Sequence, residues 1–442
     1  MFFVVLVLIL VVVAPFVFVL YINNSESTGI LWKRDINNFA TGISAAYGKV
    51  YTIDIHGNIN WYEAQTGDLI NNGSIGAYWG QGVTASSNMV YGGKASVQVG
   101  AIKTSTGEFQ WEVNYYRNSA WSKRAPTNII VLEDRLFVKG DTFSVYNATT
   151  GKFLWKNDNN QFRLDANVSN PNTLTAWPTE GNRVFAIGYV RNVGYIVYRL
   201  DPDNGEVFWH QPFNRSVSGL PVVYENQVII KNGTEEKTTL FSLDENSGDI
   251  LWSYNVDARV FQPTAYSGLL FFGASDDSFY AVHLDNGTLA WKSTVDSQNI
   301  TSLVNNDNPL EGLPIQIDSE NQNIIGGFAV TTQTVTNETR PKDHYWEILC
   351  SLDLETGNVN WTKHFTGEGD ISNEYSWYDY AFYDYALTEN NIYLTTIYDF
   401  RIFSKITGNI IESQHFEHEL SSPFAENGKV FVAADLWLMA YE

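Results

Sequence analysis

The 442-residue chain has one cysteine, few basic side chains and no stretch that reads as a 10-residue amphipathic helix. Cys350 stands alone, which excludes an intramolecular disulfide and leaves it as a small hydrophobe in a strand. Lysine and arginine total 27 against 49 aspartates and glutamates, a net charge of −22. Phosphate backbones need a basic surface, so nucleic acid is excluded as a partner, while cations, glycans and basic proteins stay open. The seven histidines are scattered, with His415 and His418 the one close pair, and no Cys/His metal spacing appears. No glycine-rich phosphate loop or nucleophile elbow is present either, so no catalytic residue and no metal ligand is assigned.

Tryptophan and glycine, by contrast, are plentiful and ordered. Six times a glycine is followed four residues later by tryptophan: Gly107 and Trp111, Gly151 and Trp155, Gly205 and Trp209, Gly248 and Trp252, Gly287 and Trp291, Gly357 and Trp361. The turns at Gly67 and Gly408 share the pattern but reach Asn71 and Glu412, and Gly29 leads to Trp32 one residue early. Before each turn come short β-branched and aromatic runs bounded by Gly, Asn and Asp, such as Leu269–Phe272 and Ser278–Val282, which read as strands. Four strands in roughly 40 to 55 residues is the period of a propeller blade. In such an array the glycine makes a tight turn, and the indole covers the seam to the next blade while its N–H finds a carbonyl. The six repeat tryptophans are therefore structural docking residues.

The segments Ala281–Trp291 and Ser351–Trp361 resemble the tryptophan-docking motif of the pyrroloquinoline-quinone-like (PQQ-like) propeller repeat, which has a small residue first, often Asp third, glycine seventh and tryptophan eleventh. The resemblance runs from about residue 28 to the C-terminus and implies an all-β single propeller. It also implies two kinds of activity. Some members are alcohol or sugar dehydrogenases that use PQQ and Ca²⁺, many with two adjacent cysteines beside the quinone; others are scaffolds without a cofactor. A lone Cys350 cannot supply that cysteine pair, nor the N-terminal lipidated cysteine of bacterial outer-membrane assembly scaffolds.

Complete units end at eight glycine turns, from Gly67 to Gly408, and Ser421–Tyr441 adds three strands without a fourth. The segment Gly29–Ile36 is the expected fourth strand, closing the ring from the other terminus and removing its edges. Because the resembling family usually has eight blades, eight is the expectation, with nine the alternative. The longest departures from the period, residues 297–312 and 331–344, are expected to be exposed polar loops.

The first 22 residues carry no charge and are long enough to cross a bilayer, with residues 23–27 as a linker and 28–442 as the propeller. An uncleaved anchor is favoured over a cleaved signal, since no small-x-small site precedes Asn23. Lys33 and Arg34 after the run point to a cytoplasmic propeller. Ten Asn-x-Ser/Thr sequons, at Asn23, Asn72, Asn147, Asn167, Asn214, Asn232, Asn286, Asn299, Asn337 and Asn360, point outside, as does the acidic balance. The expectation is a cell-membrane protein whose propeller is glycosylated on the extracytoplasmic side.

A binding site is expected where loops from the outer strand of one blade to the inner strand of the next meet at the channel mouth. Candidate ligand residues there are Trp79, Gln81, Arg124, Trp177, Gln262, Glu311, Trp377 and Asp379. The densest aromatic segment is Tyr375–Tyr385, which reads either as blade packing or as a contact surface. The sequence thus points to a membrane-anchored propeller that binds or scaffolds envelope proteins or glycans without a cofactor. The alternative is a PQQ-dependent dehydrogenase of alcohols or sugars.

Overall fold

The computed structural model describes residues 29–36, 38–76, 80–94, 98–114, 128–139, 143–156, 173–179, 183–190, 193–296, 310–334, 342–370, 384–396, 399–416, 420–434 and 436–442. These form nine antiparallel four-stranded sheets, and no described helix is long and apolar enough to cross a membrane. In chain order the blades span Ala40–Ser74, Gly80–Asn114, Asn128–Lys156, Thr173–Phe213, Val217–Val256, Thr264–Thr294, Glu311–Asp370 and Asp384–His415. The ninth is made of Phe424–Glu426, Lys429–Ala434 and Trp437–Tyr441, completed by Ile30–Asp35 from the N-terminal side. Ile30–Asp35 pairs antiparallel with Trp437–Tyr441, as expected for closure by both termini.

Eight blades is therefore corrected to nine. The ninth set of strands lacks its own glycine turn, yet with a borrowed outer strand it pairs as fully as the others. First strands of neighbouring blades approach one another around most of the ring, and Ala40–Ala46 meets Phe424–Glu426, so the first strands are inner and the ring is closed. Both anticipated insertions are also corrected in part. Thr331–Thr334 and Lys342–His344 are not loop; they extend two 12-residue strands of the seventh blade. Glu311 and Gly312 likewise begin a strand. Residues 297–309 and the anchor segment 1–22 lie outside the described residues.

A twisted four-stranded sheet cannot bury both of its faces alone, so the apolar side chains gather between sheets. Among the described residues each seam has its own buried cluster. Phe271, Phe279 and Trp291 of the sixth blade, for example, meet Ile324, Phe328 and Cys350 of the seventh. Trp32 joins Phe431 and Leu438 to Val50 and Tyr62 across the closing seam.

The glycine-tryptophan spacing is the geometry of these seams. Each indole lies on the glycine turn of the following blade: Trp32 on Gly67, Trp111 on Gly151, Trp155 on Gly205, Trp209 on Gly248, Trp252 on Gly287, Trp291 on Gly357 and Trp361 on Gly408. Each indole N–H donates to a carbonyl in that blade, from 2.6 Å for Trp252 to Leu284 up to 3.1 Å for Trp291 to Leu354. The expected seam role of the six repeat tryptophans is thus seen, with Trp32 as a seventh. Gly287 shows why the turn needs glycine, because its φ is +73° and a Cβ there would come within 2.8 Å of the indole. At the seam between the first and second blades, which lacks the tryptophan, Gly107 faces Asn71 and the Asn72 backbone.

Trp252→Ala is expected to cost about 3–5 kcal/mol as a core truncation, and Gly287→Ala about 2 kcal/mol or more through strain and overlap. Because both act on one contact, urea denaturation of the double variant should show less than the sum of the two losses. Additive losses would show that the two residues act separately.

Candidate functional site

One described sector of the channel mouth is built by the crossing from the fifth blade to the sixth. Val260 and Phe261 are buried, and the Val260–Ala274 bridge with the Phe261 N–H to Gly273 carbonyl bond (2.9 Å) holds this segment flat. Its polar neighbours are thereby aimed at the flanking blades. Arg259 Nε meets Glu235 Oε2 at 3.1 Å on the fifth blade. Arg259 Nη2 donates to the Leu310 carbonyl and lies 3.7 Å from Glu311 Oε1 on the seventh. The guanidinium also stacks over Phe261, 5.2 Å from the ring centroid.

Gln262 completes the clip. Its Oε1 accepts from Leu220 N at 3.3 Å and its Nε2 donates to Leu220 O at 3.1 Å, so the side-chain amide mimics a β-bridge to the inner strand Val217–Tyr224. Of the eight candidate ligand residues, the structure brings Gln262 and Glu311 into one cluster, and both are engaged with protein groups. Arg259, which joins them, was not among the candidates; its place just before the Val260–Pro263 run was the available signal. Beside it, burial and the Arg259 charge push the Lys231 ammonium down to about 8.

Gln81 and Trp177 belong to inner strands, Gly80–Ala85 and Thr173–Thr179, where loops were expected. Trp79, Arg124, Trp377 and Asp379 lie outside the described residues. From the aromatic segment, Tyr385 is buried and its hydroxyl donates to the Ile325 carbonyl at 2.8 Å, the blade-packing role. Among the sequons, Asn72, Asn214, Asn286 and Asn360 are exposed and Asn147 is half-buried, while Asn23, Asn167, Asn299 and Asn337 fall outside the described residues. Asn232 is the exception: it is 3% exposed and its Nδ2 donates to Arg215 O at 2.6 Å. That amide has no room for a glycan on the folded ring, which corrects the expectation at this position.

A second polar cluster lies in the seam between the seventh and eighth blades. Arg401 Nη2 meets Asp399 Oδ2 at 3.1 Å, and His415 Nδ1 lies 2.8 Å from Asp399 Oδ1. Glu347 is fully buried, 3.7 Å from Arg401 Nη1, and neither carboxylate oxygen has a hydrogen-bond partner. Desolvation outweighs the arginine's attraction and pushes Glu347 up to about 8. Lys405 is also buried in this seam, 2.9 Å from Asp318 Oδ1.

Quinone and Ca²⁺ chemistry would need a cation-binding donor set. Among the described residues no three His, Cys, Asp or Glu side chains are grouped to hold a metal ion. Cys350 faces the buried seam cluster, its Sγ donating to the Gly326 carbonyl at 3.3 Å, and burial pushes its thiol far up. No step through a quinone is derived from these residues.

A family model described as outer membrane protein assembly factor BamB matches residues 19–194 and 193–435. The chain belongs to this PQQ-like family. Within it, the BamB of Yersinia pestis is 22% identical over 297 residues, which cover 64% of this chain and 65% of that protein. A tetrathionate hydrolase of Acidithiobacillus ferrooxidans is 21% identical over 259 residues, 54% of this chain and 48% of the relative. The chain thus matches about half to two thirds of the length of these curated relatives. A quinohemoprotein alcohol dehydrogenase from Pseudomonas putida HK5 shares the fold at a TM-score of 0.53 and 12% identity, covering 94% of this chain and 76% of that one.

The Glu347 carboxyl gives a pH prediction. A carboxyl near 4.5 when unfolded and about 8 when folded binds more protons in the folded state across that window, so stability falls as pH rises through it. Glu347→Gln, a neutral isostere, should leave stability near pH 5 little changed and raise it near pH 9 by about 1–3 kcal/mol. Thermal melts across that range check it; parallel curves for both proteins would mean that Glu347 ionises freely.

Proposed function

We propose that this chain is a membrane-anchored propeller on the extracytoplasmic side that binds or scaffolds proteins of the cell envelope, with glycans as a second class of ligand. The observation that carries this reading is the BamB family match, which spans both halves of the ring and nearly all of its blades. Three features support it. Seven residues separate the apolar run Met1–Ile22 from Ile30, so an anchor there would join directly to the closing outer strand. Exposed sequons lie on outer strands and turns, at Asn72, Asn286 and Asn360, where a glycan projects away from the channel. The Arg259–Gln262 clip stiffens three blades around one sector of the mouth, which suits a surface that must hold its shape while a partner docks.

The segments with Trp79, Arg124, Trp377 and Asp379, assigned to that mouth from the sequence, are the proposed contact surface. Aromatics beside a few polar groups are the composition of protein- and sugar-binding sites. The quinone-dependent dehydrogenase is kept as the contrasting reading, resting on the family resemblance.

Fractionation of native cells, with glycosidase treatment and cross-linking, tests the proposal. The protein should stay with membranes after alkaline washing, shift in mass on deglycosylation at exposed sequons but never at Asn232, and cross-link to an envelope protein. Trp377→Ala with Tyr378→Ala should weaken that cross-link about tenfold or more if these aromatics are anchors. Recovery as an unglycosylated cytosolic protein would overturn the reading. A spectral change on titration with PQQ and Ca²⁺ would favour the dehydrogenase.

A further inference from the structure

The net charge of −22 makes a cation without a carboxylate partner conspicuous. Most buried or half-buried bases in the described structure have one: Lys94 with Glu112, Arg199 with Glu245, Lys405 with Asp318, Arg401 with Asp399. Lys231 does not. Its ammonium has three donors, and its hydrogen bond goes to the Val260 carbonyl at 3.3 Å. The charge that acts on it is another cation, Arg259, whose own charge is already met by Glu235 and Glu311. Taking an ammonium partly out of water with so little compensation is costly, and a bound anion would recover that cost.

The backbone beside Lys231 is shaped accordingly. The pairing of the inner strand with Gln227–Gly233 is interrupted between Ser218 and Val222. At the centre of this bulge Gly219 has φ +75°, and a Cβ on it would come within 3.0 Å of Lys231 Nζ and 2.8 Å of Gln262 Oε1. Only glycine leaves the amine uncovered on this side. Ser218, Gly219 and Leu220 are exposed, so the opening is reached from solvent, and Leu220 offers an apolar contact next to the charge. Two neighbours set its shape, since Gln262 holds the bulge open through Leu220 and Arg259 fixes the crossing that carries the Val260 carbonyl.

We propose that Lys231, at the Gly219 bulge of the fifth blade, is a binding site for a carboxylate group. The carboxylate comes either from the free end of a peptide chain or from a small organic acid. A single ammonium beside an apolar side chain selects a monovalent, flat anion carrying an apolar substituent. The acidic pair Glu235 and Glu311, held by Arg259, disfavours ions of higher charge. The site stands on its own observations and would survive failure of the scaffolding proposal.

Competitive acetylation of lysines in the full-length protein, read by mass spectrometry at pH 8, tests it. Acetate should slow labelling of Lys231 about tenfold or more at saturation, because a bound carboxylate returns the ammonium toward the ordinary lysine range near 10.4. Chloride at equal ionic strength should have little effect, and exposed Lys152 serves as the internal control. Trialanine protecting at lower concentration than acetate, with trialanine amide inactive, would identify a peptide end as the source. Equal protection by acetate and trialanine would identify a small acid. Gly219→Ala, placing a methyl against the amine, should abolish protection while circular dichroism confirms the β fold; should it fail to fold, the wild-type arms decide alone. Labelling of Lys231 indifferent to acetate and trialanine would overturn the proposal.

Discussion

One contact recurs around this ring, an indole laid flat on a glycine of the next blade with its N–H tied to a nearby carbonyl. No blade is a domain in itself, since its faces become core only when a neighbour covers them. The indole supplies a large apolar surface and a directional bond together, fixing both the distance and the angle between blades. Seven of the described seams use it, and the closing seam uses it through Trp32, on a strand from the opposite end of the chain. The closure therefore has the same physics as the rest of the ring.

This arrangement frees the channel mouth for other work. Because seams are held at the outer strand, the inner strands and the crossings between blades need carry only local order. Polar clips can then specialise that region. Arg259 and Gln262 tie three blades together at the mouth. Further out, the seventh and eighth blades hold a buried Glu347 and Arg401 in place of a purely apolar contact. Buried ionisable pairs of this kind are costly, and this one borders the seventh blade, whose strands reach 12 residues where six is common elsewhere in the ring.

Much of the architecture was legible in the sequence because the repeat is itself a geometric constraint. A glycine four residues before a tryptophan states both a turn and a docked ring, so the blade pattern and terminal closure could be read directly. The blade number was misjudged where family habit displaced the chain's own count. Trp32 was noticed but not assigned, because its spacing is one residue short; its strand nonetheless carries the same bulge before the indole, between Ile30 and Trp32, as the strands of the repeat tryptophans. The site was far less legible. Gln262 reads as a ligand residue by composition, yet its amide is spent on Leu220, and Lys231 carries no signal at all until the strand bulge places Gly219 against it. Asn232 satisfies the sequon rule while its amide is buried, since three letters report nothing of burial.

The claim on which everything else rests is that Ile30–Asp35 closes a nine-bladed ring. Native-state hydrogen exchange on the intact chain and on a chain lacking residues 1–36 tests it most directly, read at the amides of Trp437–Tyr441. Closure predicts strong protection in the intact protein and loss of it in the shortened one, spreading into the first and ninth blades as their shared seam opens. Equal protection of Trp437–Tyr441 in both proteins would contradict it.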